Sequence, residues 1–391
     1  FIGLWGLRFF IDHETPFQIP REISIALLVF IFTASLSLWT AYSAGAVIKE
    51  LLKWIQMLVL VVILANSPRW EWAVFGVVLS AALQAVIGIW EFLGGSGAAH
   101  LWILDYRFFR AFGTFGQPNP FGGFLGMVLP LAVSVSTGYL WTGYREKQRH
   151  HIVTGLIYAV LAGLLLGALI ASWSRGAWIG FLGALGVVVW LFPRDRRIGT
   201  ALIGTGIVTL ILLMSLGLLP ASLQNRLTGF SQDFIGFHDV RGVVISDENF
   251  AVVERLAHWQ SAIGMAEASP WLGIGFGNYE NAYPDFKLIN WQFALGHAHN
   301  YYLNLLAETG IIGLLAYLVM WSVIIRCNGQ LLQSNDWRIR GTAVGLLGTW
   351  THIALHSLID KLYVNNLFLH AGVMLGILAF LHRQNRQRTP I

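Results

Sequence analysis

Residues 151–197 read HIVTGLIYAVLAGLLLGALIASWSRGAWIGFLGALGVVVWLFPRDRR, two apolar runs over 151–172 and 174–192 with a turn at 172–176 between them and a basic stretch at 193–197 behind. An apolar run of about 20 residues matches the hydrocarbon thickness of a bilayer when it is helical. A helix also pairs its own backbone N–H and C=O groups, which an open strand in lipid cannot do. The turn is too short for a flexible loop, so the two runs form a hairpin of membrane spans. Working outward, the same pattern recurs near 21–44, 47–66, 71–93, 119–142, 199–219, 300–325, 339–359 and 363–382. The expected fold is an all-α polytopic membrane protein.

Composition agrees with that reading. Hydrophobic residues make up 56% of the 391 and charged residues only 12%, a balance foreign to a soluble domain of this length. One cysteine, Cys327, excludes a disulfide framework and a cysteine-based metal site. The formal net charge of +5 does not indicate a nucleic-acid partner, because the basic residues gather in short loops at 144–151, 193–197, 326–340 and in the tail from 383 to 388. By the positive-inside bias those loops are cytoplasmic. Residues 2–10 read as the tail of a further apolar helix, which predicts more chain before Phe1.

The remaining connections then face the other side: 94–118, the turn at 172–176, the long segment 220–296 and the turn around Asp360. The long segment holds eight acids against four bases, so its arginines do not serve topology. Within it, 254–268 has amphipathic helical character ending at Pro270 and is expected along the membrane surface. The chain therefore divides into an N-terminal transmembrane bundle (1–219), a periplasmic segment with an amphipathic helix (220–298), and C-terminal transmembrane helices with a cytoplasmic tail (299–391). The run Gly273-Ile-Gly-Phe-Gly-Asn278 superficially looks like a dinucleotide loop, but it lacks the preceding strand and the acidic partner, and reads as a glycine-rich turn. The 42 glycines are spread through the spans, where they permit close helix packing.

On the outward side the chain collects side chains with chemistry. Arg107 and Arg110 lead into Gly113-Thr-Phe-Gly-Gln-Pro-Asn119-Pro, Ser174 and Arg175 sit in the hairpin turn, and Arg255 lies on the amphipathic helix. Arginine is disfavoured at an outer boundary, and its fork of donors matches phosphate oxygens, so several together suit a diphosphate head group. The bland alternatives are a snorkelling Arg175 and an Asn119 that caps a helix. His297-Ala-His299-Asn300 precedes a long apolar helix; a helix N-terminus favours a neutral imidazole, the state a general base needs. No HExxH-type spacing supports zinc, and no DxD pattern supports a divalent cation, so no metal is expected. Asp285, Glu254 and Asp360 are outward carboxylates that could assist, whereas His352, His356 and His370 fall inside or between the last spans and read as packing or capping residues.

Four blocks resemble the O-antigen ligase and O-antigen polymerase superfamily of bacterial inner-membrane proteins. They are Arg110-Ala-Phe-Gly-Thr-Phe-Gly-Gln-Pro-Asn-Pro; Ser174-Arg-Gly-Ala-Trp178; Glu254-Arg255 with Trp259 leading to Pro270-Trp-Leu-Gly-Ile-Gly-Phe-Gly-Asn; and His297-Ala-His-Asn300 through Glu308-Thr-Gly-Ile-Ile-Gly313. The resemblance implies a GT-C-type fold of about 10–12 transmembrane helices with one large periplasmic segment, and a metal-independent inverting glycosyltransferase without a cofactor. It implies an undecaprenyl-diphosphate-linked glycan as donor and a lipid A core or other glycan as acceptor, with the active site on the periplasmic face of the inner membrane. His299, or His297, would take the acceptor proton, Arg175, Arg255 and Arg110 would hold the diphosphate, and Asn300, Ser174, Trp259, Arg107 and Asn119 would support them. An O-antigen or exopolysaccharide polymerase is the alternative within the resemblance. An anion transporter, bicarbonate-like, is the alternative outside it.

Overall fold

The computed structural model describes residues 18–388 apart from 96, 105–106, 221–223, 225–238 and 247–248. The expected helix tail over 2–10 and the charged positions Arg226, Asp233, Asp247 and Glu248 lie outside the described residues. The fold is helical: α1 (Arg21–Ser35, extended by a 3-10 turn to Thr40), α2 (Ala44–Ala65), α3 (Trp70–Trp90), α4 (Pro118–Glu146), α5 (Arg149–Ala171), α6 (Arg175–Leu191), α7 (Arg196–Ser215), α8 (Phe250–Ala268), α9 (Tyr279–Phe286), α10 (Tyr301–Gln330), α11 (Trp337–His356) and α12 (Leu367–Arg388). The only strand pairing among the described residues is a two-residue antiparallel ribbon joining Trp102 to Phe109 and Ile103 to Phe108.

Among the described residues, seven helices are long and apolar enough to cross a membrane: α1, α3, α4, α5, α7, α10 and α12. That is fewer than the ten to twelve expected, for a physical reason. Helix α2 carries Lys49, Glu50 and Lys53, α6 has only 17 residues, and α11 begins with Arg338 and Arg340. All three still pack within the helical assembly, with Val47, Trp54 and Met57 of α2 and Val344 and Leu346 of α11 among its fully buried residues.

Helix α4 is the axis of the bundle, buried along almost its whole length. It packs against α5, α6 and α11. Small residues make this possible: a Cβ on Gly138 or Gly341 would press into the backbone of the facing helix, and one on Gly126 or Gly180 would overlap His352. His352 and His356 are fully buried against this glycine seam, and the ring of His370 lies 4.6 Å from that of Phe124, so these three are packing residues as expected.

The basic loops meet at one end. Arg194 donates to Ser334 O and Asn335 Oδ1, and buried Arg340 donates to the carbonyls of Leu191, Phe192, Pro193 and Leu332. Those carbonyls are the ones a helix C-terminus leaves unpaired.

At the opposite end, two sequence blocks interlock. Helix α10 is broken at Gly310 (φ 62°, ψ −169°), a backbone region essentially confined to glycine. The N–H groups freed by the break go to the preceding loop: Ile311 N donates to Pro270 O (2.9 Å) and Ile312 N to Trp271 O (3.4 Å). In return Ile274 N donates to Ala307 O (2.9 Å) and Gly275 N to Glu308 O (3.0 Å). Gly273, at φ 68°, lies against the Glu308–Thr309 backbone so closely that a Cβ would overlap it. The glycine-rich turn is thus a backbone clasp that docks α8 and α9 onto α10. Helix α8 starts at Phe250 and stops before Pro270, and buries Leu256, Ala257, His258, Ala262 and Met265.

Candidate active site

The clasp and the C-terminal loop bring the histidine block to the end of the bundle remote from the basic loops. Asn300 is the N-cap of α10, its Oδ1 accepting from Tyr302 N (3.0 Å) and Leu303 N (3.1 Å). Tyr301 N donates to Ser357 O (2.8 Å), which ties the block to the loop after α11. That loop carries Asp360, whose Oδ1 stands 3.4 Å from His297 Nε2 and 3.9 Å from His299 Nδ1. His299 itself is left-handed (φ 52°), a conformation uncommon outside glycine but one that histidine tolerates better than most.

The hydrogen-bond network distinguishes the two imidazoles. His299 N donates to His297 Nδ1 (3.1 Å), so that nitrogen is an acceptor and the ring proton of neutral His297 is on Nε2, facing Asp360. His299 turns Nδ1 to the same carboxylate, and its Nε2 is buried with no hydrogen-bond partner among the described residues. A third imidazole, which sequence reasoning missed, stands behind: the ring centroid of His258 lies 5.6 Å from that of His299. The Tyr279 hydroxyl donates to His258 O (3.1 Å) and therefore accepts from His258 Nδ1–H (2.9 Å). The only signal in the sequence was its place one turn after Glu254-Arg255.

Burial, first of all, holds His297 and His299 down to about 3 and His258 to about 4. Lys361 and His258 add to the effect on His297, and His297 adds to it on His299, with Asp360 opposing. The expected direction is present, but its cause is desolvation rather than the helix dipole. The sign of the linkage follows. An unfolded chain protonates these rings below about 6.5 while the folded one does not, so the unfolded state binds more protons between the two values. Stability is complete above about 6.5 and drains as pH falls toward 3. The melting midpoint in detergent, followed by tryptophan fluorescence, should decline steadily below pH 6.5, and a flat midpoint down to pH 4.5 would refute this.

The arginines divide. Arg110 Nε donates to Ser172 O (3.1 Å) and its Nη2 to Asn119 Oδ1 (3.2 Å), and Ser174 Oγ donates to that same Oδ1 (3.0 Å). Asn119 is therefore a bridge between the loop before α4 and the hairpin turn. It is not a cap, since α4 begins at Pro118 without a side-chain cap. Burial, and after it the charge of nearby half-buried Arg255, lowers the Arg110 guanidinium to about 10, and Arg255 acts on His299 as well. Arg175 opens α6 beside Gly176, which faces His356. The structure thus gathers Arg110, Arg255, Ser174, Asn119 and His299, with Arg175 in the adjoining turn. Arg107 is exposed over the Phe108 ring, and Trp259 packs with Val240, Leu256 and Trp291, so neither joins the group.

The ligand atoms of His297, His299 and Asp360 lie within 4.8 Å of one another, a spacing that could hold a metal ion. The network opposes it. A metal-bound histidine keeps its proton on the other nitrogen and donates it to a neighbour, whereas Nδ1 of His297 receives a backbone N–H.

A family model described as O-antigen ligase matches residues 160–318, which supports the O-antigen ligase superfamily and an enzyme of ligase or polymerase type. The matched span includes Ser174, Arg175, Arg255, His297 and His299, and stops short of Asp360. No curated protein matches the chain.

Proposed function

We propose, with the O-antigen ligase match as premise, that this protein is an inverting glycosyltransferase of GT-C type, O-antigen ligase-like, in the inner membrane of a bacterium. It moves a glycan from an undecaprenyl diphosphate to an acceptor hydroxyl, such as one on a lipid A core, at the periplasmic face. One observation carries the reading: His299 offers an unpaired Nε2 beside a gathering of arginines, with Asp360 behind its other nitrogen. The acceptor O–H gives its proton to Nε2, and its oxygen forms the new bond to the anomeric carbon from the face opposite the diphosphate. The anomeric C–O bond breaks with its electron pair going to the diphosphate, whose charge Arg175, Arg255 and Arg110 neutralise. The Asp360 carboxylate faces the imidazolium that results. His297, its Nε2–H turned to Asp360, orients that carboxylate and is not the base. Arginines do what a divalent cation does elsewhere, so no step needs a metal.

The test is transfer by purified protein with an undecaprenyl-diphosphate-linked repeat and EDTA, with and without lipid A core. Product on the core establishes a ligase. Longer lipid-linked ladders without core establish the polymerase instead, since the two differ only in acceptor. Arg175→Ala and Arg255→Ala should each lower kcat/KM by about a hundredfold, the scale of one lost transition-state donor, while eluting as folded protein in detergent. Normal turnover by both would remove the diphosphate assignment. The anion-carrier alternative gains no support from the family match.

A further inference from the structure

Beside the histidines opens a polar cavity of about 900 Å³, within the size range of small-molecule sites. His297, His299, Asn119 and Asp360 line it, and among the described residues no arginine does. The arginines proposed to hold the diphosphate are thus outside the lining, and Arg110 adjoins it through Asn119.

Its deep wall is built from groups that the mechanism does not use. Glu308, only 1% exposed, accepts from Tyr279 N at Oε1 (3.1 Å) with the Gly277 N–H also turned to the carboxylate, while its Oε2 makes no hydrogen bond of good geometry among the described residues. Lys361, 7% exposed, reaches Glu50 Oε1 at 3.5 Å, and Glu50 Oε2 is already held by Lys53 (2.5 Å). An ammonium has three donors, and among the described residues the Lys361 ammonium meets only Glu50 Oε1, so Lys361 retains donors to give. A buried carboxyl oxygen without a partner is rare in a finished interior.

Charge selects the occupant. Three lysines (Lys49, Lys53, Lys361) face four carboxyls (Glu50, Glu280, Glu308, Asp360) around the cavity, so the lining is within one charge of balance and strongly favours neither an anion nor a cation. A hydroxyl group, donor and acceptor at once, satisfies an orphaned carboxyl oxygen and a spare ammonium together. We infer that the cavity is the acceptor subsite and takes an uncharged pyranose whose hydroxyls are read by Glu308 and Lys361. The choice of a sugar as occupant rests on the function proposed above; the chemistry of the wall does not.

The test separates the two. Saturation-transfer difference spectra of the full chain in detergent are recorded with methyl glycosides of glucose, galactose and N-acetylglucosamine, for wild type, Glu308→Gln, Lys361→Met and, as control at the basic end, Lys147→Met. At least one glycoside should give a signal that falls about fivefold or more in both cavity variants and is unchanged in the control. No signal with wild type, or equal signals in all four proteins, overturns the subsite. In the transfer assay Glu308→Gln should raise the acceptor KM about tenfold, the scale of one hydrogen bond to a charged group, with the donor KM within twofold. An unchanged acceptor KM overturns the inference also. Glycoside binding by a protein that transfers nothing supports the subsite while sinking the glycosyltransferase reading.

Discussion

His299→Ala is expected to lower transfer about a thousandfold, within the range a positioned general base contributes, with the KM for the lipid-linked donor nearly unchanged. The asymmetry with its neighbour is the sharper result. His297 has its Nδ1 occupied by the backbone N–H of His299 and its Nε2 turned to Asp360. It has no lone pair to offer an acceptor, so His297→Gln, which retains a donor, should cost about tenfold or less. The comparison needs only initial rates of the two variants under one set of conditions. Equal losses would mean that the proton passes through both rings. A complete loss in His297→Gln with activity in His299→Ala would reverse the assignment.

Gly310→Ala is the largest expected effect on stability. Alanine at φ 62°, ψ −169° is strained, and its Cβ would overlap the carbonyl and carbon of Trp271 and the nitrogen of Leu272. The loop cannot retreat without breaking the bonds from Ile311 N and Ile312 N. The combined cost exceeds about 3 kcal/mol, since strain alone amounts to about 1–3. The variant should therefore melt well below wild type, or fail to yield a monodisperse peak in detergent. Gly94→Ala is the matched control: it too has a positive φ, but nothing lies within 4 Å of its added carbon. Similar losses in both would show that backbone strain, not the clasp, is responsible.

The helices were legible because a 20-residue apolar run has few alternatives in lipid. Even α2, interrupted by Lys49, Glu50 and Lys53, begins and ends within a few residues of its expected place. The same interruption hid its role. Sequence alone could not show that Glu50 meets Lys361, more than three hundred residues away, because charged groups in a span announce function without naming their partner. The basic loops share one end of the fold, as the charge bias required. Arg110, Ser174 and Asn119 could be named from motifs, but their convergence on one amide oxygen is tertiary. The tautomers were beyond reach for the same reason, since they follow from a local hydrogen bond that depends on the left-handed turn at His299. Arg107, three residues from Arg110, is exposed over the Phe108 ring, a placement that nearness in sequence did not reveal.

The hydrogen bond from Tyr301 to Ser357 joins the proposed base to its carboxylate across 56 positions of sequence, and it has a consequence for modularity. The span matched by the O-antigen ligase family model, 160–318, carries the proposed base, but Arg110 and Asn119 come before it and Asp360 after it. Excised, that span would keep His299 without the acid that faces it. Grafting it into another chain should then succeed only when the loop after α11 travels with it.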